Sequence, residues 1–139
     1  MKTYRVPVTL RRLALDSFPY VAQGWPSPAE DFQERSLDLN EHLIRHPAAT
    51  FFVRAEGHSM IGAGIHDGDL LIVDKALEPN HGDIVIAVID GEFTCKQLIL
   101  TGGSGSLVAA NPDYPPIKIP PDGCGIWGVV AHVIHSPRG

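Results

Sequence analysis

GDIVIAVIDGEFTCKQLIL, residues 82–100, contains two runs of β-branched and other apolar residues separated by Asp90-Gly91. An Asp-Gly pair is a strong signal for a two-residue turn, because both turn positions require a positive φ that Gly adopts freely and Asp tolerates. The pattern therefore predicts an antiparallel hairpin made of one strand at 84–89 and a second at 92–100.

Similar short runs lie on both sides of this hairpin. Asp38 and Glu41 resemble a capping box and are followed by apolar residues at helical spacing, which predicts one short helix that Pro47 ends near Arg45. The other predicted strands are 50–55, 69–74, 107–110, 117–119 and 126–134. The glycine-rich residues 102–105 lack the Lys-Ser/Thr ending of a phosphate loop and are expected to form a turn. The predicted fold is mostly β, with short and largely antiparallel strands.

The first 33 residues differ in composition from the remainder. Prolines at positions 7, 19, 26 and 28 exclude any helix longer than residues 9–17. Within this part, residues 23–28 (QGWPSP) are expected to be extended and accessible, as a protease substrate must be. We therefore expect an irregular, flexible N-terminal arm over 1–33 and a compact domain over 34–139.

Composition and charge limit the classes of function. The 139 residues are 44% hydrophobic and 19% charged, which is typical of a globular chain. The longest apolar run is too short to span a bilayer and no signal peptide is visible, so a soluble, cytoplasmic protein without membrane contact is expected. Residues 1–23 carry four basic side chains against one acidic, whereas the rest carry seven basic and fifteen acidic. Such an acidic body argues against strong direct DNA binding.

Cysteine and histidine spacing predicts neither a metal site nor a cofactor. Cys95 and Cys124 form no CxxC motif, which fits a reducing compartment. His42 and His46 have helical spacing but lack neighbouring ligands. His132 and His135 are three residues apart in a predicted strand, so they should point to opposite faces.

Two residues are candidates for chemistry. Ser59, in Gly-His-Ser-Met, is read from its tetrapeptide either as a nucleophile or as a helix cap. Lys96 lies on the same strand face as apolar residues, so it either extends its amine to solvent or buries it. A buried amine has a lowered pKa and could activate the serine hydroxyl as a base. A histidine base and a nucleophilic Cys95 are the weaker alternatives, since no triad motif is present and Cys95 should face away from Lys96.

A series of short motifs then follows the order found in the UmuD proteins, which the chain resembles from about residue 20 to its end. In chain order they are Gly24-Trp25-Pro26-Ser27-Pro28-Ala29, Asp38-Leu39-Asn40, His46-Pro47, Gly57-His58-Ser59-Met60-Ile61, Asp67-Gly68-Asp69-Leu70-Leu71-Ile72-Val73-Asp74, His81-Gly82-Asp83-Ile84-Val85 and Asp90-Gly91-Glu92-Phe93-Thr94-Cys95-Lys96. UmuD proteins are self-processing subunits of bacterial DNA polymerase V and are related to LexA-type repressors.

The resemblance implies a fold and an activity. The fold would be the small, mostly-β LexA and signal-peptidase type with a mobile N-terminal arm. Ser59 would be the nucleophile and Lys96 the neutral-amine base of a serine endopeptidase that cuts its own chain between Gln23 and Gly24. In the family, RecA filaments on single-stranded DNA promote this cut after DNA damage. The shortened homodimer then joins the UmuC polymerase for error-prone synthesis past lesions.

One position departs from the family pattern. The family cleaves after Ala or Cys, whereas Gln23 precedes Gly24 here and Ala22 lies one step earlier. This chain therefore either tolerates Gln, cleaves slowly, or cuts a neighbouring bond. A regulatory binding subunit that cleaves slowly or not at all is thus the main alternative. A LexA-like repressor would need a helix-turn-helix that residues 1–22 are too few to build, and a signal peptidase would need a membrane anchor.

Overall fold

The structure, a computed structural model, describes residues 3–5, 14–17, 35–120 and 123–139. These contain ten strands, one short α-helix and two short 3-10 helices, Pro47–Ala49 and Ile61–Ala63. The helix α1 spans Leu39–Leu43. The strands are β1 (Thr3–Arg5), β2 (Ala14–Ser17), β3 (Arg35–Asp38), β4 (Thr50–Arg54), β5 (Leu70–Asp74), β6 (Ile84–Ile89), β7 (Glu92–Thr101), β8 (Ser104–Val108), β9 (Ile117–Lys118) and β10 (Gly125–Ile134).

Eight of these strands form one antiparallel sheet in the order β1-β4-β5-β10-β6-β7-β8-β9, while β2 pairs with β3 alone. The last strand, β10, lies between β5 and β6 and joins two groups of strands that are separate in the sequence. The architecture confirms the predicted mostly-β, antiparallel fold with one short helix.

The predicted central hairpin is present. Ile84 pairs with Gln97 and Ile89 with Glu92, and the turn residues Asp90 and Gly91 have φ values of 51° and 78°. Both turn residues thus have the positive φ that a two-residue hairpin with this twist requires. The partner strand β7 continues through Thr101, and β8 already begins at Ser104, so the turn is limited to Gly102 and Gly103 rather than the predicted 102–105.

The helix begins where the capping pattern predicts. Asp38 is the N-cap residue, and its carboxylate accepts a hydrogen bond of 3.1 Å from the backbone N–H of Asn40. The helix ends at Leu43, two residues before the predicted end, because Ile44 is already extended and its side chain is buried. Burial of that apolar side chain thus sets the exit of the chain from the helix.

The N-terminal residues contain more regular structure than predicted. Thr3–Arg5 pairs with Phe51–Val53 at the edge of the large sheet, and Ala14–Ser17 pairs with Arg35–Asp38. The expectation of an irregular segment throughout 1–33 is therefore wrong at β1 and β2. The prolines disfavour helices in this segment but allow short strands that pair with an existing sheet edge. Gln23 and Gly24 lie outside the described residues.

Both faces of the sheet are covered by apolar clusters, which explains why β6 is continuously apolar rather than alternating. Alternate residues of β6 enter different clusters: Ile86 joins one, and Val85 and Ala87 join the other. The first cluster comprises Val53, Ala55, Met60, Ile65, Leu71, Val73, Ile86 and Cys95. The second comprises Val85, Ala87, Leu98, Leu107 and Val129. Among the described residues, no helix is long and apolar enough to cross a membrane.

Candidate active site

Ser59 lies in a loop, residues 55–69, that leaves the sheet after β4 and returns at β5. The two ends of the loop are tied together, because the Ala55 N–H donates to the Asp69 carbonyl (2.9 Å) and the Gly68 N–H donates to the Ala55 carbonyl (2.8 Å). The Gly57 N–H donates to the Asp67 carboxylate at 2.7 Å. These bonds hold both ends of the loop and leave its centre, with Ser59, facing β7.

The residues around Ser59 are held by neighbouring parts of the chain. Met60 is 3% exposed and packs in the first apolar cluster. The Gly62 N–H donates to the Ala110 carbonyl at 2.7 Å, and the Asn111 side-chain amide donates to the His58 carbonyl at 3.0 Å. Ser59 is therefore flanked by anchored backbone, which restricts where its hydroxyl can lie.

Ser59 is not the cap of the short helical turn that follows it. The 3-10 turn Ile61–Ala63 has Met60 at its N-cap position and no side-chain capping hydrogen bond. The alternative in which Ser59 is a helix cap is therefore excluded. The Ser59 hydroxyl instead lies 3.1 Å from the Lys96 amine.

Lys96 lies in β7 opposite Val85 and is 8% exposed, so most of its side chain is buried rather than extended along the surface. The amine Nζ is 3.1 Å from Ser59 Oγ and 3.2 Å from the backbone carbonyl oxygen of Cys95. The structure thus brings the two predicted residues, 37 positions apart in sequence, into hydrogen-bond contact. The carbonyl acceptor directs one N–H away from the serine and orients the amine.

Burial lowers the pKa of the Lys96 amine from its usual 10.5, and the charge that Cys95 would carry as a thiolate opposes this only in part. Burial also raises the pKa of the Cys95 thiol from 9.0 to about 11, so the thiol stays protonated near neutral pH. The Tyr114 ring, 5.9 Å from Nζ, favours the charged amine. The net effect is a larger neutral fraction of Lys96 than an exposed lysine would have.

A cleft of about 160 Å³ opens beside Ser59. Its walls come from the serine loop and from the first half of β7. The lining residues are Ala55, Glu56, Gly57, Ser59, Met60, Ile65, Phe93, Thr94 and Cys95. A cleft of this size accommodates a few small groups next to the hydroxyl. Residues such as Ala55 and Thr94 were not singled out in the sequence, since nothing in their local pattern places them near Ser59.

A family model described as Peptidase S24-like matches residues 16–131. The chain belongs to this peptidase family. It is 53% identical over 116 residues to Protein ImpA of Escherichia coli, an alignment that covers 83% of this chain and 79% of that protein.

Two further relatives of this S24-like peptidase extend the comparison. Protein MucA of Escherichia coli is 41% identical over 133 residues, which cover 94% of this chain and 85% of that protein. The LexA repressor of Alcanivorax borkumensis is 39% identical over 118 residues, but these cover only 57% of the repressor. The resemblance to the UmuD and LexA group is thereby confirmed at the level of the family.

The histidines of this S24-like chain take other partners. His46 Nδ1 lies 2.6 Å from the Asp74 carboxylate, and His81 Nδ1 accepts the Leu100 N–H at 2.9 Å. His42 and His132 approach each other with ring centroids 6.5 Å apart. Among the described hydrogen bonds, the Ser59 hydroxyl has Lys96 as its partner and no imidazole. A histidine base for Ser59 is therefore disfavoured.

Proposed function

We propose that this protein is a self-cleaving serine endopeptidase of SOS mutagenesis, in which Ser59 is the nucleophile and Lys96 the general base. The observation that carries the proposal is the 3.1 Å contact between the Ser59 hydroxyl and the amine of a lysine residue that is only 8% exposed. An exposed lysine would be charged near neutral pH and could not accept a proton, whereas a desolvated amine can.

The proposed substrate bond joins Gln23 to Gly24, in residues outside the described part of the chain. Ser59 Oγ attacks the carbonyl carbon of Gln23 while its proton moves to Lys96 Nζ. The Lys96 ammonium then protonates the Gly24 nitrogen as the C–N bond breaks, leaving residues 1–23 as an ester on Ser59. Water, deprotonated by the neutral amine, hydrolyses this ester and restores the hydroxyl.

The cut would remove the segment that contains β1 and β2 from the domain at 34–139. Strand β1 pairs with β4, and β2 pairs with β3, so both pairings would join separate chains after cleavage. Strands of three or four residues form few backbone hydrogen bonds, so residues 1–23 would then dissociate from the domain. Processing would thereby free the outer edge of β4 for another partner.

We further propose that RecA filaments on single-stranded DNA stimulate this cleavage in the cytoplasm. The processed homodimer would then serve an UmuC-type error-prone polymerase as a subunit. Support comes from the family match and from relatives such as ImpA and MucA, which are similar over at least 79% of their own length. No cofactor is required by this scheme, because the nucleophile, the base and the substrate all belong to the chain.

The test is the intact mass of the protein after incubation with RecA, single-stranded DNA and a non-hydrolysable ATP analogue. We expect loss of residues 1–23 from the wild type, and no cleavage in Ser59→Ala or Lys96→Ala. Because the two groups act as a unit, the double variant should be no worse than either single variant. Matched controls are Ser104→Ala and Lys118→Ala, both exposed in the structure, which should cleave like the wild type. Near-normal cleavage by Lys96→Ala would overturn the assignment of the base.

A second candidate function is a binding subunit of the same polymerase system that cleaves slowly or not at all. The observation in its favour is Gln23, which stands where the family has Ala or Cys. This candidate predicts an unchanged mass for the wild type under the same conditions, together with normal binding to the polymerase. The Ser59–Lys96 contact and the lowered pKa of the lysine favour the cleaving protein, because together they supply a nucleophile with an adjacent base.

A further inference from the structure

A cluster of three potential metal ligands lies at the ends of β5 and β10, apart from Ser59 and Lys96. Asp69 immediately precedes β5 and His135 immediately follows β10. The two strands pair in register with Ile134 opposite Leu70, so the next pair along the ladder is His135 and Asp69. His66, from the loop that carries Ser59, completes the group.

The distances within this cluster suit a shared ion. His135 Nδ1 lies 2.6 Å from one carboxylate oxygen of Asp69, and His66 Nδ1 lies 3.6 Å from the other. The two imidazole rings are 4.5 Å apart between centroids. One ligand atom from each residue lies within 4.8 Å of the other two.

Burial gives the cluster one fixed ligand and two adjustable ones. The Asp69 side chain is 3% exposed, and its carboxylate also accepts the His66 backbone N–H at 2.8 Å. The side chains of His66 and His135 are 47% and 45% exposed, so their rings can shift without disturbing the core. A buried, oriented carboxylate with two accessible imidazoles is a partly preorganised site.

We propose that His66, Asp69 and His135 bind a divalent transition-metal ion of the Zn²⁺ type, through two imidazole nitrogens and the Asp69 carboxylate. Ligand atoms of a tetrahedral zinc site, with bonds of about 2.0–2.2 Å, lie roughly 3.3–3.6 Å apart. His66 Nδ1 already lies 3.6 Å from one Asp69 oxygen, whereas His135 Nδ1, 2.6 Å from the other, has to move away as the ion enters. Imidazole ligands favour such metals over Mg²⁺ and Ca²⁺, and water fills the remaining position.

This site was not expected from the sequence, since the spacing argument considered only histidines close together in the chain. The ion would join the loop that carries Ser59 to the segment after β10. Next to His66, Asp67 accepts the Gly57 N–H, two residues before Ser59. Metal binding should therefore stabilise the native state and restrain this loop. The site does not depend on the proposed cleavage.

The chain offers a matched comparison in His46 and Asp74. This pair has the same Nδ1-to-carboxylate distance of 2.6 Å and similar exposure, at 46% for the histidine and 5% for the aspartate. Among the described residues, no third ligand completes a metal group around it. A His–Asp pair without the second imidazole should bind the ion far more weakly.

The test is titration of the full-length protein with Zn²⁺ by calorimetry, in a buffer that does not chelate metals. We expect one tight site per chain in the wild type and in His46→Gln. In His66→Gln and in His135→Gln, the affinity should fall at least tenfold, because each loses one of three protein ligands. Circular dichroism of the metal-free variants checks that they are folded. Equal affinity in all four proteins, or an equal loss in His46→Gln, would overturn the proposal.

A second measurement reports on the geometry. Zn²⁺ should raise the melting temperature of the wild type and of His46→Gln, and leave that of the His66→Gln/His135→Gln double variant unchanged. Co²⁺ in place of Zn²⁺ should give the visible absorption bands of a four-coordinate site only where both histidines are present. The absence of these bands in the wild type would contradict the proposed ligand set.

Discussion

Lys96 must lose a proton before it can take one from Ser59, and its surroundings decide at which pH this happens. The amine is buried in β7, with the Cys95 carbonyl and the Ser59 hydroxyl as hydrogen-bond partners. Desolvation disfavours the ammonium, so the pKa of the amine lies below 10.5 in the folded protein. In the proposed mechanism the base is therefore the neutral amine, and its population increases as the pH rises.

The rate of unassisted cleavage should follow this population. Below the pKa of folded Lys96 we expect a rise of about tenfold per pH unit, followed by a plateau above it. A histidine base, with a usual pKa of about 6.5, would already reach its plateau near neutral pH. The measurement is cleavage of the isolated protein from pH 6 to 11, with circular dichroism at each pH as the folding control. A profile that is flat above pH 7 would contradict Lys96 as the base.

In the proposed substrate bond, Gln23 stands where the family has Ala or Cys. Its side-chain amide needs hydrogen-bond partners that a pocket suited to Ala or Cys does not offer. An imperfectly paired amide costs about 1–3 kcal/mol, which is roughly 5- to 150-fold in rate. Gln23→Ala should therefore speed RecA-stimulated cleavage about tenfold or more, as followed in a time course. The pH profile should not change.

N-terminal sequencing of the products locates the cut in the same experiment. A product that begins at Gly24 supports the proposed bond in both proteins. Equal rates for wild type and Gln23→Ala would mean that the pocket already accommodates glutamine. A wild-type product that begins at Gln23 would mean that Ala22 occupies the pocket instead.

At the scale of elements, the loop 55–69 connects β4 to β5 and places Ser59 against β7, although Ser59 itself lies in no strand. The contact between Gly62 and Ala110 ties this loop to the segment after β8. A Cβ atom at position 62 would lie 2.6 Å from the Ala110 carbonyl oxygen, closer than van der Waals contact permits. One of these two backbone segments would have to move.

Gly62→Ala should consequently lower the free energy of unfolding by about 1–3 kcal/mol, as overpacking does elsewhere. It should also slow cleavage, because Ser59 lies three residues from the displaced atom. Gly125→Ala is the matched control, since its new Cβ would lie 3.6 Å from the nearest Val88 atom, in ordinary contact. Urea unfolding and a cleavage time course measure the two effects. If Gly62→Ala is as stable as the wild type and cleaves at the same rate, the close contact between Gly62 and Ala110 is not needed to position Ser59.

At the scale of the whole molecule, the charge distribution separates a basic N-terminal segment from an acidic body. The net charge is −5, although residues 1–23 are basic. The proposed removal of residues 1–23 would make the remainder more acidic and more strongly repelled by DNA phosphates. In the proposed polymerase role, the protein should therefore reach DNA through protein partners rather than by direct binding.

We expect both the intact and the cleaved forms to sediment as dimers, by similarity to the family. Neither form should bind duplex DNA tightly at physiological salt, because phosphate binding needs clustered Lys and Arg side chains. Analytical ultracentrifugation measures the first property and fluorescence anisotropy with labelled duplex the second. Tight binding by the cleaved form, which lacks the basic arm, would contradict the charge argument.

The local features of the fold could be predicted from the sequence. The β6–β7 hairpin and the Asp38 cap depend on residues adjacent in the chain, so the turn and capping preferences of Asp90, Gly91 and Asp38 were sufficient. Ser59 and Lys96 were predicted as site residues because their motifs resemble those of a known family. The local pattern alone did not distinguish Ser59 from a helix cap, nor Lys96 from a surface lysine.

Only the tertiary structure decided which distant residues meet. The insertion of β10 between β5 and β6 depends on covering apolar surface on both sheet faces, a condition that no local pattern encodes. That insertion places His135 beside Asp69, and the packing of Met60 places Ser59 beside Lys96. Sequence spacing cannot report such contacts, because they arise when chain segments far apart are paired by the burial of their side chains.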